Sequence, residues 1–317
     1  MAGLFITSSR IGDAVMTLSL LEGLRVENPN MTYAVAADPL VASLFEDDPA
    51  CIEIIHFPKK KASLHWFFLW KKAVKKKWDW VADTRGSIVS YLLNSKKRFI
   101  WKKTPNDKRH KVEQVSAIAG LTPITPKIIL SEDRKNAMQA LLPNAPIFVI
   151  APVANWIGKQ WPIHDFKEIM NRFCETYPDA HILVITAPSE DPQLTPLRTL
   201  PGSRITFSTD LAKMHDLKLI DMAALIAQGN LFLGNDSGLM HMSYALNTPV
   251  IGLFGPSRDR IYGPYPTNSI HTVIRIPKSY DELFNTPGFS HKKQECYMDE
   301  LKFDHVWDVI KKKWKDC

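Results

Sequence analysis

Short, strongly apolar runs alternate with amphipathic stretches over almost the whole chain, and that rhythm limits what it can fold into. Leu4-Phe5-Ile6, Thr32 to Ala36, Ile52 to Phe57 and Trp80-Val81-Ala82 read as strands, each followed by polar or helix-spaced sequence such as Ala14 to Val26. The rhythm restarts with Ile147 to Ile150, His181 to Thr186, Leu231 to Leu233 and Val250 to Phe254. Apolar runs alternating with helical stretches point to βα units and parallel sheet, because a strand covered by helices on both faces has no polar side to show. At 317 residues the chain has room for two such domains. Pro143-Asn144-Ala145-Pro146 suits a linker, so the expected domains are 1–145 and 146–317. The stretch from Tyr297 to Lys315 spaces Met298, Leu301, Val306, Val309 and Ile310 mostly along one helical face, which is expected to cross back onto the first domain.

Hydrophobic residues make up 45% and charged residues 23%, the balance of an ordinary globular protein with a full core. The net charge of +7 is unevenly placed: residues 1–145 hold 22 Lys/Arg against 14 Asp/Glu, and residues 146–317 hold 18 against 19. That asymmetry points to an acidic partner for the first domain: nucleic acid, anionic lipid or a phosphorylated glycan. Cys51, Cys174, Cys296 and Cys317 form no C-x-x-C pair, so neither a zinc site nor a disulfide framework is suggested, and a reducing compartment fits. With no secretory signal and no stretch near the roughly 20 apolar residues of a membrane span, a cytoplasmic protein is expected. There is no G-x-x-x-x-G-K-S/T loop and no G-x-G-x-x-G after the first strand, which disfavours an ATPase and a dinucleotide oxidoreductase. No D-x-D triad occurs, so no metal is expected.

The segment from Leu231 to Leu246 carries the most chemistry. A strand ends at Gly234, the loop Asn235-Asp236-Ser237-Gly238 turns, and a helix bearing His241 begins. Free N–H groups and the dipole at a helix start favour phosphate, and Gly238 admits close backbone approach. On capping preferences alone, Asp236 or Ser237 reads equally well as an N-cap and His241 as a core histidine. Lys159, between a strand's end and Trp161-Pro162, can neutralise a diphosphate whose charge grows as a bond to it breaks. Taken alone, a lysine in a polar loop is more often a solvated charge. Glu190 stands at a strand's C-terminal end, where acidic residues accept hydrogen bonds from ribose, with Asp191 beside it as an alternative. Asp13 follows Gly12 at the tip of the first βα turn, either as a helix N-cap or as a carboxylate facing the cleft where open α/β sheets bind ligands.

In order along the chain, these segments resemble glycosyltransferase family 9, the ADP-heptose:lipopolysaccharide heptosyltransferases. Ser9-Arg10-Ile11-Gly12-Asp13 resembles the family's R-x-G-D motif, Asp83-Thr84-Arg85-Gly86-Ser87 its D-x-R-G-S stretch, and Lys159-Gln160-Trp161-Pro162 its K-x-W-P motif. Gly234 to His241, followed by Asn247 to Pro256, resembles its signature, and Cys296-Tyr297-Met298 its C-terminal cysteine segment. The likeness runs from residue 4 to about 310, with one departure: Ser19 stands where the family usually has proline. The resemblance implies an α/β fold of GT-B architecture, two Rossmann-like domains facing across a cleft. It also implies an inverting, metal-independent transfer of a heptose or related sugar from a nucleotide-diphosphate donor, ADP-heptose, to a lipopolysaccharide inner-core acceptor, with no cofactor beyond the substrates. On that resemblance Asp13 is the base that takes the acceptor proton, and Lys159 is the catalytic cation at the diphosphate with Asn155 as its phosphate neighbour. Glu190 holds the donor ribose; Asp236, Ser237, Gly238 and His241 contact diphosphate and sugar; Arg10, Arg85 and Ser87 hold the acceptor.

From Leu64 to Trp78 aromatics interleave with lysines, which suits peripheral contact with the inner leaflet of the inner membrane and equally a helix docked on its own sheet with solvated lysines. Lys96-Lys97-Arg98 and the stretch from Lys102-Lys103 to Lys111 add charge that could receive phosphorylated acidic sugars; the family likeness argues for a lipid-linked glycan rather than nucleic acid. Two competing readings share the fold: a non-catalytic nucleotide-sugar-binding protein, and a nucleotide-sugar epimerase or hydrolase.

Overall fold

The computed structural model describes residues 2–58, 64–102, 104, 107–200, 204–266, 268–291, 293 and 295–316; Lys103 and Cys317, named above, lie outside them. The chain divides into two compact units. One comprises Met1–Ser131 with Lys218–Ile220, the other Glu132–Leu217 with Asp221–Cys317.

The first unit contains β1 (Ala2–Ile6), α1 (Ile11–Glu27), β2 (Thr32–Ala37), α2 (Pro39–Ala42), β3 (Cys51–His56), α3 (Leu64–Ala73), β4 (Trp78–Asp83), β5 (Ser95–Ile100) and α4 (Lys111–Ser116). The strands form one sheet in the order β3-β2-β1-β4-β5, every pair parallel. Side chains from β1 to β4, among them Leu4, Ile6, Ala36, Ile55 and Val81, meet Leu69 and Ala73 of α3 in one core. α1 is buried almost all round, as a helix lying between a sheet and a further helix must be, since it also packs against α4. Ser19, the departure from the family pattern, serves that packing: its hydroxyl bonds Ser116 Oγ at 2.8 Å and accepts from the Ile124 N–H at 3.4 Å.

The second unit begins with α5 (Glu132–Gln139) and continues through β6 (Ile147–Ala151), α6 (Ile163–Thr176), β7 (His181–Val184), β8 (Ile205–Phe207) and α7 (Ser208–His215). α8 (Leu219–Ile226), β9 (Leu231–Asn235), α9 (Gly238–Ala245), β10 (Val250–Phe254), α10 (Asp259–Tyr262), β11 (Thr272–Arg275), α11 (Tyr280–Phe284) and α12 (Phe303–Lys315) complete it. Its sheet runs β11-β10-β9-β6-β7-β8, again all parallel. α6 buries Phe166, Ile169, Met170 and Phe173 at helical spacing, each stabilising the fold by roughly 1.5–3 kcal/mol.

Two expectations are corrected. The division falls at Ser131/Glu132, ahead of the prolines near 145, because α5 is tied to the second unit: Arg134 pairs with Asp221 and Gln228 Nε2 donates to the Lys135 carbonyl. The closing helix α12, expected on the first domain, has its apolar face committed to the second unit's own core. Val306, Trp307 and Ile310 are buried there, and the Trp314 ring sits 4.8 Å from Phe173 and 5.9 Å from Phe148.

Candidate active site

In an open parallel sheet ligands gather at the carboxyl ends of the strands where the winding reverses. In the first sheet that point lies between β1 and β4, in the second between β6 and β9. The loops after these four strands carry Arg10 to Asp13, Thr84 to Ser87, Asn155 to Lys159 and Asp236 to Gly238.

In the first unit, the N-cap of α1 is Arg10, whose side chain makes no capping bond, and Asp13 lies within the first helical turn. Asp13 is therefore not the cap, and its charge bears on Lys111. The Lys111 ammonium lies 3.4 Å from the centre of the Trp101 ring, and burial lowers its pKa while the charges of Asp13 and Asp107 oppose that shift. Arg10 is exposed. The turn after β4 is organised by Asp83, fully buried, whose carboxylate accepts from the backbone N–H of Arg85 (2.8 Å), Gly86 (3.1 Å) and Ser87 (2.7 Å) and from the hydroxyls of Ser87 and Ser90. Gly86 adopts φ +67°, and a Cβ there would stand 2.5 Å from the Trp101 carbonyl oxygen, so only glycine fits. The turn sets the Arg85 guanidinium over the rings of Trp66 (4.5 Å) and Phe57 (5.4 Å). Burial lowers the Arg85 pKa, with Asp83 and Asp38 opposing. The Ser87 hydroxyl proton is committed to Asp83.

In the second unit, the Lys159 ammonium meets Asp236 Oδ2 at 2.5 Å. Asp236 is 5% exposed, and its other oxygen lies 3.6 Å from His241 Nε2; His241 Nδ1 in turn is 3.4 Å from the Tyr244 hydroxyl. Burial pushes the Asp236 carboxyl up, but His241 and the Lys159 charge outweigh it and hold the group well below the usual carboxylate range. Ser237 caps α9 in position only: among the described residues its buried hydroxyl has no hydrogen-bond partner. An orphaned hydroxyl beside the free first-turn N–H groups of α9, with a lysine nearby, is chemistry suited to an anion. Asn155 is exposed in the loop after β6 that carries Lys159.

Glu190 lies in a short 3-10 turn, where Oε2 accepts from Thr186 Oγ1 (2.8 Å) and the Ala187 N–H (3.3 Å), leaving its other oxygen out of these bonds. Asp191, the alternative, is held by Thr209 and Arg198, whose hydrogen bonds lower its pKa to about 2. Some positioning residues escaped sequence reasoning. Asn235 is fully buried and clamps the two switch-point loops together, accepting from the Trp161 N–H at 3.0 Å and donating to the Pro152 carbonyl at 2.8 Å. Asp83 and Lys111 belong with it. Part of the basic stretch is already engaged: Lys96 pairs with Asp79, Arg109 with Asp107, and Arg98 donates to the carbonyls of Ser90, Leu93 and Ser95. Among the described residues no group of three or more His, Cys, Asp or Glu side chains is placed to hold a metal, and no helix is long and apolar enough to cross a membrane.

Two all-parallel α/β units, the second with a lysine and free helix amides at its switch point, follow the plan of GT-B sugar-nucleotide glycosyltransferases. The chain belongs to glycosyltransferase family 9 (heptosyltransferase), whose model matches residues 61–283. It is similar to lipooligosaccharide heptosyltransferase 2 of Haemophilus influenzae, 24% identical over 309 residues that cover 86% of this chain and 88% of that one. Over a shorter stretch of 135 residues it is 27% identical to lipopolysaccharide heptosyltransferase 1 of Pseudomonas aeruginosa, covering 43% of this chain and 36% of the relative. In fold it resembles the ADP-heptose lipopolysaccharide heptosyltransferase II of Escherichia coli, with a TM-score of 0.78 at 18% identity over 100% of this chain and 99% of the other. The chain is a glycosyltransferase.

Proposed function

We propose that this enzyme transfers a heptose from ADP-heptose to the inner core of lipopolysaccharide in one inverting displacement that needs no metal. The observation that carries the reading is the anion-ready group in the second unit: Lys159 on Asp236, beside the orphaned Ser237 hydroxyl and the start of α9. The names of the similar proteins, heptosyltransferases acting on lipopolysaccharide or lipooligosaccharide, supply the sugar and the acceptor class. ADP-heptose is the donor named for the Escherichia coli fold neighbour.

On this reading the second unit holds the donor. Lys159, Ser237, Gly238 and Asn155 face the diphosphate, Glu190 the ribose, and Asp236 with His241 the sugar hydroxyls. The first unit holds the acceptor through Arg10 and Arg85, with Ser87 shaping the Arg85 turn through Asp83. The acceptor hydroxyl gives its proton to Asp13 as its oxygen bonds the anomeric carbon. The bond from that carbon to the diphosphate oxygen breaks, and the electron pair leaves with the nucleoside diphosphate. The charge that grows on the leaving group meets Lys159 and the amides of α9, which take the part a divalent cation plays elsewhere. The work is done on a lipid-linked acceptor at the cytoplasmic face of the inner membrane.

The test is Asp13→Asn with ADP-heptose and a lipopolysaccharide-core acceptor. Donor affinity by calorimetry is expected to hold while turnover falls by roughly 10²–10⁴-fold. Unchanged product formation refutes the base assignment. Donor consumed equally fast without acceptor favours an epimerase or hydrolase, and turnover abolished by a chelator refutes metal independence.

A further inference from the structure

The first unit carries an apolar surface that begins directly after its β4 turn. The inner face of α3 is buried at His65, Leu69 and Ala73, with Trp66, Trp70 and Val74 packed against the same core. Its outer face is one stripe at helical spacing, apolar in its first half and cationic in its second: Leu64, Phe67 and Phe68, then Lys71 and Lys72, with Lys75 in the turn that follows, all exposed. Beside α3 runs a short 3-10 helix, Ile88–Tyr91, whose Val89 joins that core together with Leu93. Ile88, Tyr91 and the C-cap Leu92 are 77%, 55% and 59% exposed, and Phe67 of α3 is 56% exposed. Six large apolar side chains from two neighbouring elements thus face outward, more than scattered surface exposure accounts for. Among the described residues no carboxylate pairs with Lys71, Lys72 or Lys75.

We propose that Leu64, Phe67 and Phe68 of α3 together with Ile88, Tyr91 and Leu92 form the face on which this unit docks to an anionic lipid bilayer. The apolar half enters the boundary between headgroups and acyl chains, and the unpaired lysines meet anionic headgroups. Segregation of the two along α3 and the turn after it, with no acid among the described residues to pair the lysines, is complementary to such a surface. The tryptophans of the 64–78 segment take no part: Trp66 and Trp70 pack inward and Trp78 is buried in the sheet. Trp66 holds Arg85 on the inner side of the same helix, so docking would place that arginine about one helix diameter, ~10 Å, from the lipid. The proposal deepens the reading of a lipid-linked acceptor, on which it rests.

The test is sedimentation of the full chain with vesicles of phosphatidylcholine alone and of phosphatidylcholine mixed with phosphatidylglycerol, alongside activity on a delipidated, water-soluble core acceptor. Wild type is expected to bind only the anionic vesicles, and less as salt rises. Ile88→Ser/Leu92→Ser and Phe67→Ser/Phe68→Ser should each lose at least about tenfold in vesicle affinity. Lys71→Gln/Lys72→Gln/Lys75→Gln should lose on the order of a hundredfold, about fivefold per lysine. All three should keep wild-type melting and wild-type turnover on the soluble acceptor; where a pair melts early, Phe67→Ser or Ile88→Ser alone serves. Equal binding to both vesicle types, or unaltered binding by the Ile88/Leu92 variant, overturns the docking face. A patch variant that instead dissolves a dimer assigns the surface to a second copy and overturns it too. Vesicle binding without transfer to the soluble acceptor refutes the function and leaves the docking face standing.

Discussion

Lys159→Met is the perturbation that most directly probes the anion-ready group. It leaves the Asp236 carboxylate, 5% exposed, with His241 as its remaining neighbour of opposite potential charge. Breaking a buried pair by deleting one partner costs about 3–5 kcal/mol. Because the Lys159 side chain is 25% exposed and water screens part of the interaction, about 2–4 kcal/mol is expected here. For a unit of this size that lowers the melting temperature by roughly 5–12 °C. The sign with pH follows from the depressed Asp236 pKa. A carboxyl depressed in the folded state contributes its stability above its unfolded value, near 4, and loses it as pH falls through the lower folded value. Lys159→Met removes that contribution and leaves the upward push of burial less opposed. The difference between wild type and variant should therefore be full at neutral pH and narrow below about pH 4. Calorimetric melts from neutral to acid pH, with Asp236→Asn and the double variant completing the cycle, measure it. A double variant nearly as stable as Asp236→Asn alone supports the pair; additive losses, or a Lys159→Met loss under ~1 kcal/mol that does not change with pH, refute the reasoning.

Asn235→Ala should cost about 3 kcal/mol by orphaning the Trp161 N–H and the Pro152 carbonyl, and should weaken nucleoside diphosphate binding by loosening the Lys159 loop; melts and titration with ADP check both. Gly86→Ala forces a Cβ against the Trp101 carbonyl at φ +67°, so a loss of about 2 kcal/mol and a higher KM for acceptor are expected, with KM for donor unmoved. Lys111→Met removes the ammonium from over the Trp101 ring, so a loss of about 1 kcal/mol is expected in thermal melts, and Lys111→Arg should largely restore it.

The central strands are legible in the sequence because strands buried on both faces must be apolar runs. Leu4 to Ile6 and Val250 to Phe254 have no polar side, and they lie at or beside the middle of their sheets. β5, β8 and β11 are not legible in this way. They lie at sheet edges, where one side is uncovered, so Ser95 to Ile100 looks like a basic stretch and not like a strand. The motif residues are likewise legible one by one, because each loop bears its own signature of glycine, polar cap and charge. Their partners are not. Lys159 and Asp236 stand 77 positions apart and meet only because β6 and β9 are neighbours, a fact of strand order that local pattern does not contain. The same holds for Asp83 gathering its turn, for Ser19 bonding Ser116, and for the direction in which α12 turns its apolar face. Periodicity determines which side of an element seeks cover, and only the tertiary arrangement decides what covers it, because burial is a property of the neighbours and not of the segment.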